Sequence, residues 1–305
     1  MEELFQTATL FRAKVVKRPS VFIKSPYVAD IQLLNQNDEI IDEHGTVSID
    51  KTYLAHSPSL GCCGLADTYA YVMVSKSTNP KAKTDYVIEL SCFNEIKKDI
   101  KYTEYVSLKP KTAEKVAHKA LLKGCVDGLP TFKTLQPEKK FKNSRFDFYG
   151  LDINDQEHII EVKMVPLAYY VDVPKKEYKN HSLTIENADF HDKIAYFPDG
   201  YRKNMNDPVS PRALKHVQEL EEIVLEGTIK CTLLFIIQRS DVSCFQPSNL
   251  DLIYKKAVQK AWINGVQIKC VVVQWNSEGK GVLFKNDLPI QLFEFNGPFV
   301  IEDLN

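Results

Sequence analysis

A chain of 305 residues exceeds what one small core needs, and its 44% hydrophobic and 26% charged residues exclude a disordered protein. Lys and Arg total 39 against 40 Asp and Glu, a net charge of -1. That balance excludes a global electrostatic pull on nucleic acid, so any such affinity has to come from a local basic patch.

The first hundred residues read as short strands broken by turns, near 15–16, 21–23, 28–34, 47–49, 69–74 and 86–90. No long segment there keeps a 3.6-residue apolar period, which predicts a small all-β barrel or sandwich. The pattern changes near Pro110. Ala113, Val116, Ala117, Ala120 and Leu121 recur at helical spacing, with Gly124 placed to stop the helix. After a Pro-containing connection, strands are expected over 145–151 and 158–165. Residues 169–210 read as a long irregular loop, a length that hints at function or at an insertion. Ser210 and Pro211 then open a helix whose stripe is Leu214, Val217, Leu220 and Val224, and Gly227 ends it. A buried strand over 231–238, a helix over 249–263 and a strand over 266–275 complete an α/β pattern with a partly parallel sheet. The expected division is therefore an all-β domain over 1–106 and an α/β domain over 107–305.

The expected hairpin carries the chemistry. Side chains alternate along a strand, so Asp147 and Arg145 share one face, while Glu161 and Lys163 share a face of the second strand. A turn centred on residue 154 pairs Asp147 with Glu161, and one centred on 155 pairs it with Lys163. Two carboxylates so close raise each other's pKa unless a cation lies between them. A hard ion such as Mg2+ resolves the conflict and is held by sparse carboxylate sets. It would polarise a phosphodiester, with Lys163 orienting water or stabilising developing charge. Glu138 upstream could add a ligand or a base. The same spacing also fits a solvated hairpin face laced with ion pairs.

Several short motifs bear on that choice. They are Asn143-Ser144-Arg145-Phe146-Asp147-Phe148, Ile160-Glu161-Val162-Lys163, Phe197-Pro198-Asp199, Lys215-His216-Val217-Gln218-Glu219-Leu220, the run from Leu234 to Val242 and Phe245-Gln246-Pro247. With Ser75 to Lys81 and Glu89-Leu90 upstream, they resemble the sugar fermentation stimulation protein A family in the same order over most of the chain. The resemblance implies an N-terminal OB-like β-barrel followed by a restriction-endonuclease-like domain of the PD-(D/E)xK type, associated with DNA. It further implies metal-site roles for Asp147 and Glu161, the catalytic-lysine role for Lys163 and an acidic position at Glu138. The chain departs from the family at Met164, at Arg212-Ala213, in the long stretch before Phe197 and at Ser57-Pro58-Ser59-Leu60-Gly61. Those departures bear on substrate shape and loop geometry.

Lys133, Lys139, Lys140, Lys142 and Arg145 crowd ahead of the hairpin, a cluster that beside a metal site would hold phosphates. Lys76, Lys81 and Lys83 with Tyr86 form a second basic-aromatic stretch, of the kind that tracks a strand by charge and stacking. Arg212, Lys215, His216 and Glu219 lie away from the Leu stripe of their helix, and His216 could contact phosphate. His181 and His191-Asp192 lack metal-like spacing, and Cys62-Cys63 reads as a tight turn. The seven cysteines contain no C-x-x-C pair and, behind a start without signal-peptide character, read as reduced thiols of an intracellular protein, cytoplasmic or nuclear rather than secreted. The longest apolar runs fall far below the roughly 20 residues of a membrane span. The expected function is a Mg2+- or Mn2+-dependent nuclease with DNA favoured over RNA, and the alternative is a DNA-binding or regulatory protein that keeps the nuclease fold without cutting.

Overall fold

Strand-forming and helix-forming patterns alternate along the chain much as their residues dictate, and the result is a mixed α+β fold that is mostly sheet. The computed structural model describes residues 1–58, 64–200, 202, 204 and 207–293. The expected turn at Cys62-Cys63 and residues 59–61 of the departing motif lie outside that set. Two compact units are present. The first comprises Met1–Thr112, Gln238–Ser240 and Val273–Leu283, and the second Ala113–Ile237, Asp241–Val272 and the remainder from Phe284.

The first unit contains β1 (Glu3–Gln6), β2 (Leu10–Lys17), β3 (Val28–Leu34), β4 (Ile40–Ile41), β5 (Tyr53–His56), β6 (Tyr71–Lys76), β7 (Tyr86–Lys97) and β8 (Ile100–Ser107). Strand β2 pairs antiparallel with both β3 and β6, β6 with β7, and β3 with β5, while β5 runs parallel to β7. The pairings thus close on themselves in a ring of five strands. Ala13, Val15, Ala29, Ile31, Val72, Val74, Tyr86 and Ile88 alternate inward to fill it. Residues 21–23 and 47–49, expected as strands, are bends and an isolated bridge, with Val21, Phe22, Val47 and Ile49 exposed. They lack an apolar face to bury against, so their β-branched content alone does not recruit them.

The second unit opens with α1 (Pro110–Leu122) and the antiparallel meander β9 (Phe132–Phe141), β10 (Ser144–Asp152) and β11 (Glu157–Val165). There follow β12 (Ala168–Tyr169), a 3-10 turn (Lys175–His181), α2 (Ser182–Asn187), β13 (Lys193–Phe197), α3 (Pro211–Leu225), β14 (Lys230–Ile237), β15 (Val242–Pro247), α4 (Leu252–Ile263) and β16 (Gln267–Trp275), whose last residues, with most of β17 (Lys280–Lys285), belong to the first unit. Strand β14 runs parallel to β11 on one side and to β16 on the other. It is buried from Cys231 to Ile237, as the continuous apolar run of a doubly covered parallel strand requires. Val217, Leu220 and Ile223 of α3 and Tyr254, Val258 and Ala261 of α4 pack with Leu233, Phe235 and Ile237. Ser210 caps α3, its hydroxyl accepting from the Ala213 amide, and Asp251 caps α4 by accepting from the Tyr254 amide.

Two sequence expectations are corrected here. The Pro-containing connection is strand β9, an edge strand exposed on both faces, which removes the apolar alternation that would have marked it. The loop expected over 169–210 contains β13, which pairs with β12 and runs parallel to β15 in a small three-stranded sheet.

The β9–β10 seam is tight at Gly150, where an added Cβ would meet Phe132 Cδ1 at 2.8 Å and the backbone oxygen of Thr134 at 3.0 Å. A backbone oxygen in a paired strand cannot swing aside. Gly150→Ala is expected to cost about 1–3 kcal/mol of stability, measured by urea denaturation; a midpoint equal to wild type would show that the seam is looser than this.

Candidate active site on the central strands

Phe148 pairs with Ile160 and Tyr149 with Ile159, and one further step along that register sets Asp147 against Glu161. Of the two turn centres open in the sequence, residue 154 is therefore the one realised. On the other edge of β10, Phe146 pairs with Lys139 and Phe148 with Pro137, which leaves Glu138 across from Asp147. Three adjacent strands thus carry three acidic residues in one row. Asp147 Oδ2 accepts a 2.8 Å hydrogen bond from the Val162 amide, so its carboxyl is tied to the neighbouring strand.

Glu161 is only 3% exposed. Its Oε1 accepts a hydrogen bond from Lys163 Nζ and also meets His216 Nδ1 on α3, while its buried Oε2 has no hydrogen-bond partner among the described residues. The two carboxyl groups are driven apart electrostatically. Burial, then the charge of Glu161, lifts the Asp147 pKa to about 7, against the pull of the Val162 amide and Lys163. Burial pushes Glu161 upward too, but Lys163 and His216 outweigh it and hold that carboxyl below its usual value. One member of the pair is ionised and the other half-protonated near neutrality.

The helix packed on this site corrects the sequence reading. His216 is 5% exposed and Glu219 is also buried, so neither lies on a solvent face. The helical spacing that separates His216 from the Leu stripe points it at Glu161 of the sheet instead of at water. The His216 ring lies 5.7 Å from that of Phe146, and Glu219 reaches Lys215 at 3.6 Å while its buried Oε2 has no partner among the described residues. Tyr254 of α4, unmarked by any motif, is wholly buried, its hydroxyl has no partner among the described residues, and burial and the Glu161 charge push its pKa well up.

Glu138 is exposed and pairs with Arg145 at 3.3 Å. Lys139 lies over the Tyr149 ring, Lys142 pairs with Glu226, and Lys133 pairs with Asp155, while Lys140 and Arg212 are exposed. Lys76, Lys81 and Lys83 are exposed in the first unit, with Lys76 over the Phe11 ring. Tyr86 is 2% exposed between Phe11 and Tyr53, which overturns the expectation that it stacks beside those lysines.

Among the described residues, no group of three or more His, Cys, Asp or Glu side chains stands close enough to hold a metal ion. Asp147 and Glu161 with its orphan oxygen fit the sparser pattern of an ion held by one or two carboxylates and water. Two cavities of about 550 and 560 Å3, lined in part by Asp152 and His158 and by Asp172 and Leu252 respectively, take in none of Asp147, Glu161 and Lys163. Among the described residues no helix is long and apolar enough to cross a membrane.

Comparison with known proteins agrees with the motif resemblance. The sequence profile described as "Sugar fermentation stimulation protein RE domain" matches residues 111–175 and 171–279. A sugar fermentation stimulation protein homolog of Clostridium beijerinckii is 28% identical over 240 residues, covering 78% of this chain and 79% of its own. That of Idiomarina loihiensis is 26% identical over 247 residues, covering 80% and 88%. The solved structure of Pyrococcus furiosus SfsA in complex with Ca2+ superposes with a TM-score of 0.65 at 16% identity, over 95% of this chain and 99% of that one, a likeness of fold.

The raised Asp147 pKa has a stability consequence. A carboxyl whose folded value lies above the ordinary 3.8 costs nothing while both states are protonated. The cost grows as pH rises and is complete above about 7. Asp147→Asn keeps the bond from Val162 and removes the charge. In EDTA at pH 8 the variant is expected to be more stable than wild type by about 2 kcal/mol, allowing for partial exposure, with the gain shrinking towards pH 4. Thermal melts across that range decide it, and a gain that ignores pH would remove Asp147 from the electrostatic conflict.

Proposed function

The chain belongs to the sugar fermentation stimulation protein family, and we propose that it is a nucleic-acid-binding protein whose second unit hydrolyses phosphodiesters with Mg2+ or Mn2+. The observation that carries this reading is the state of Glu161: a buried carboxylate beside Asp147, with Lys163 and His216 on one oxygen and the other left without a partner. A solvated hairpin face laced with ion pairs would bury none of this.

In this reading residues 107–305 form a nuclease-like domain of the PD-(D/E)xK type, and residues 1–106 form an OB-like barrel that helps hold the nucleic acid. The closed ring of five strands, with β5 parallel to β7, supports the second assignment. Asp147 and Glu161 would hold the ion. When bound, it supplies Lewis-acid polarisation of the phosphodiester and an activated water. The protein's own groups do the rest. His216 and Lys163 fix Glu161 in its ionised form, and the Lys163 ammonium, released towards substrate, stabilises negative charge developing on phosphate oxygens. Lys139, Lys140 and Arg145 supply counter-charge along the adjoining strands where the chain's overall balance supplies none. DNA is favoured over RNA as partner, and the setting is intracellular.

A second reading is favoured by one detail: Lys163 is committed to Glu161, which suits a protein that keeps the fold and binds DNA without cutting it.

Purified protein incubated with labelled single- and double-stranded DNA and RNA, in Mg2+, Mn2+ or EDTA, separates the two readings. Cleavage that needs metal and is abolished by Asp147→Asn and by Glu161→Gln is the expected result. Binding without cleavage in either metal would establish the second reading. Lys163→Ala is expected to keep Mn2+ binding in calorimetry while turnover falls about 100-fold or more. Loss of Mn2+ affinity with the lysine would assign it a different role.

A further inference from the structure

The walls of the five-stranded ring have an outside as well as an inside. Strands β2 and β6 send Ala13, Val15, Val72 and Val74 inward and leave Arg12, Lys14 and Tyr71 on the outer face, with Lys14 paired directly across from Tyr71. Cation and ring alternate along this face. Arg12 Cζ lies 5.0 Å from the centre of the Tyr71 ring, and Lys14 Nζ lies 5.6 Å from Tyr71 and 5.7 Å from Tyr69.

Tyr69 is the unusual member. It is 73% exposed and its backbone is left-handed, with φ at 77°, a region that bulky residues rarely enter. The strand pair holds it there, because the Tyr69 amide donates to the Val15 oxygen at 2.7 Å and the Val15 amide donates to the Ala70 oxygen at 2.9 Å. A large ring kept on solvent by a conformation it disfavours points to a use for the ring. Charge gives the kind of partner. Arg12 is paired with Asp38, but Lys14 has no carboxylate partner among the described residues. An open aromatic face beside an uncompensated ammonium matches an unstacked base and its adjoining phosphate. A duplex offers the phosphate but hides the faces of its bases.

We propose that the outer face of β2 and β6 is a platform for single-stranded nucleic acid, on which Tyr69 stacks a base and Lys14 meets the neighbouring phosphate. This rests on the nucleic-acid reading above, and it places the grip of the first unit on this face instead of at Lys76, Lys81 and Lys83.

The test uses the full chain in EDTA with fluorescently labelled oligo-dT, oligo-rU and a duplex of equal length. Wild type is expected to bind the single strands more tightly than the duplex. Tyr69→Gly removes the ring while supplying the residue that φ favours, so its melting temperature should hold or rise. Its affinity for oligo-dT should nevertheless fall on the order of tenfold or more, and Tyr69→Phe should restore it. Lys14→Gln should weaken binding and lower the salt slope by about one. The Lys76, Lys81 and Lys83 triple alanine variant should retain more oligo-dT affinity than Tyr69→Gly. Unchanged oligo-dT binding by Tyr69→Gly, or equal losses on single strand and duplex, would overturn the platform and leave the nucleic-acid reading standing. A wild-type protein that binds none of the three probes would overturn that reading itself.

Discussion

A carboxylate sealed inside a sheet has to be compensated where it lies, and for Glu161 the compensation comes from two directions. Lys163 reaches back along the same strand, and His216 reaches down from α3. Removing one partner of a buried ionic group exposes the full desolvation cost of the other, so this cluster ties the register of β11 to the seating of α3. The apolar contacts of Val217, Leu220 and Ile223 with β14 hold the helix in place, but a stripe of Leu, Val and Ile tolerates small rotations. The imidazole does not. It fixes the rotation of the helix to the one setting in which a nitrogen meets Glu161.

The same cluster divides labour between two carboxyl groups that share an environment. Glu161 stays ionised because cations reach it, whereas Asp147 has only an amide and the more distant lysine charge against its burial. A site poised in this way is uncomfortable when empty of further charge. Tyr254 extends the discomfort to the wall, since its buried hydroxyl, near enough to feel the Glu161 charge, has no partner among the described residues. An unpartnered Glu161 oxygen and the unpartnered Tyr254 hydroxyl distinguish this region from the well-satisfied ion pair of Lys193 and Asp241 at 2.9 Å.

Much of this was readable from residues alone. The helices α3 and α4 announce themselves by cap, period and stop, and β14 by an unbroken apolar run. The Asp147–Glu161 pairing follows from hairpin arithmetic once the turn is centred. The edge strand β9 was hidden because a strand open on both faces has no alternation to display. His216 was placed on the correct side of its helix but against the wrong neighbour: a helical wheel separates polar from apolar, and is blind to a polar face that packs on another polar surface. Tyr254 looked like ordinary core, and its significance exists only in three dimensions. Tyr69 was read as the start of a strand that in fact begins at Tyr71, because a left-handed residue leaves no mark in composition or period.

The assignment of Gln238–Ser240 and Val273–Leu283 to the first unit has a consequence for synthesis on the ribosome. The five-stranded ring is contiguous in sequence and can close as soon as β7 has emerged. Strand β1 cannot follow, because its antiparallel partner β17 is translated only after α4 and β16. Ser240, whose amide and hydroxyl donate to the buried carboxylate of Glu104, is also late. Until β17 emerges, β1 therefore remains an open strand edge on the nascent chain, the feature through which unfinished β proteins pair with one another. Vectorial folding, which usually completes the earlier unit first, is here inverted: the first unit is finished only after most of the second has been translated.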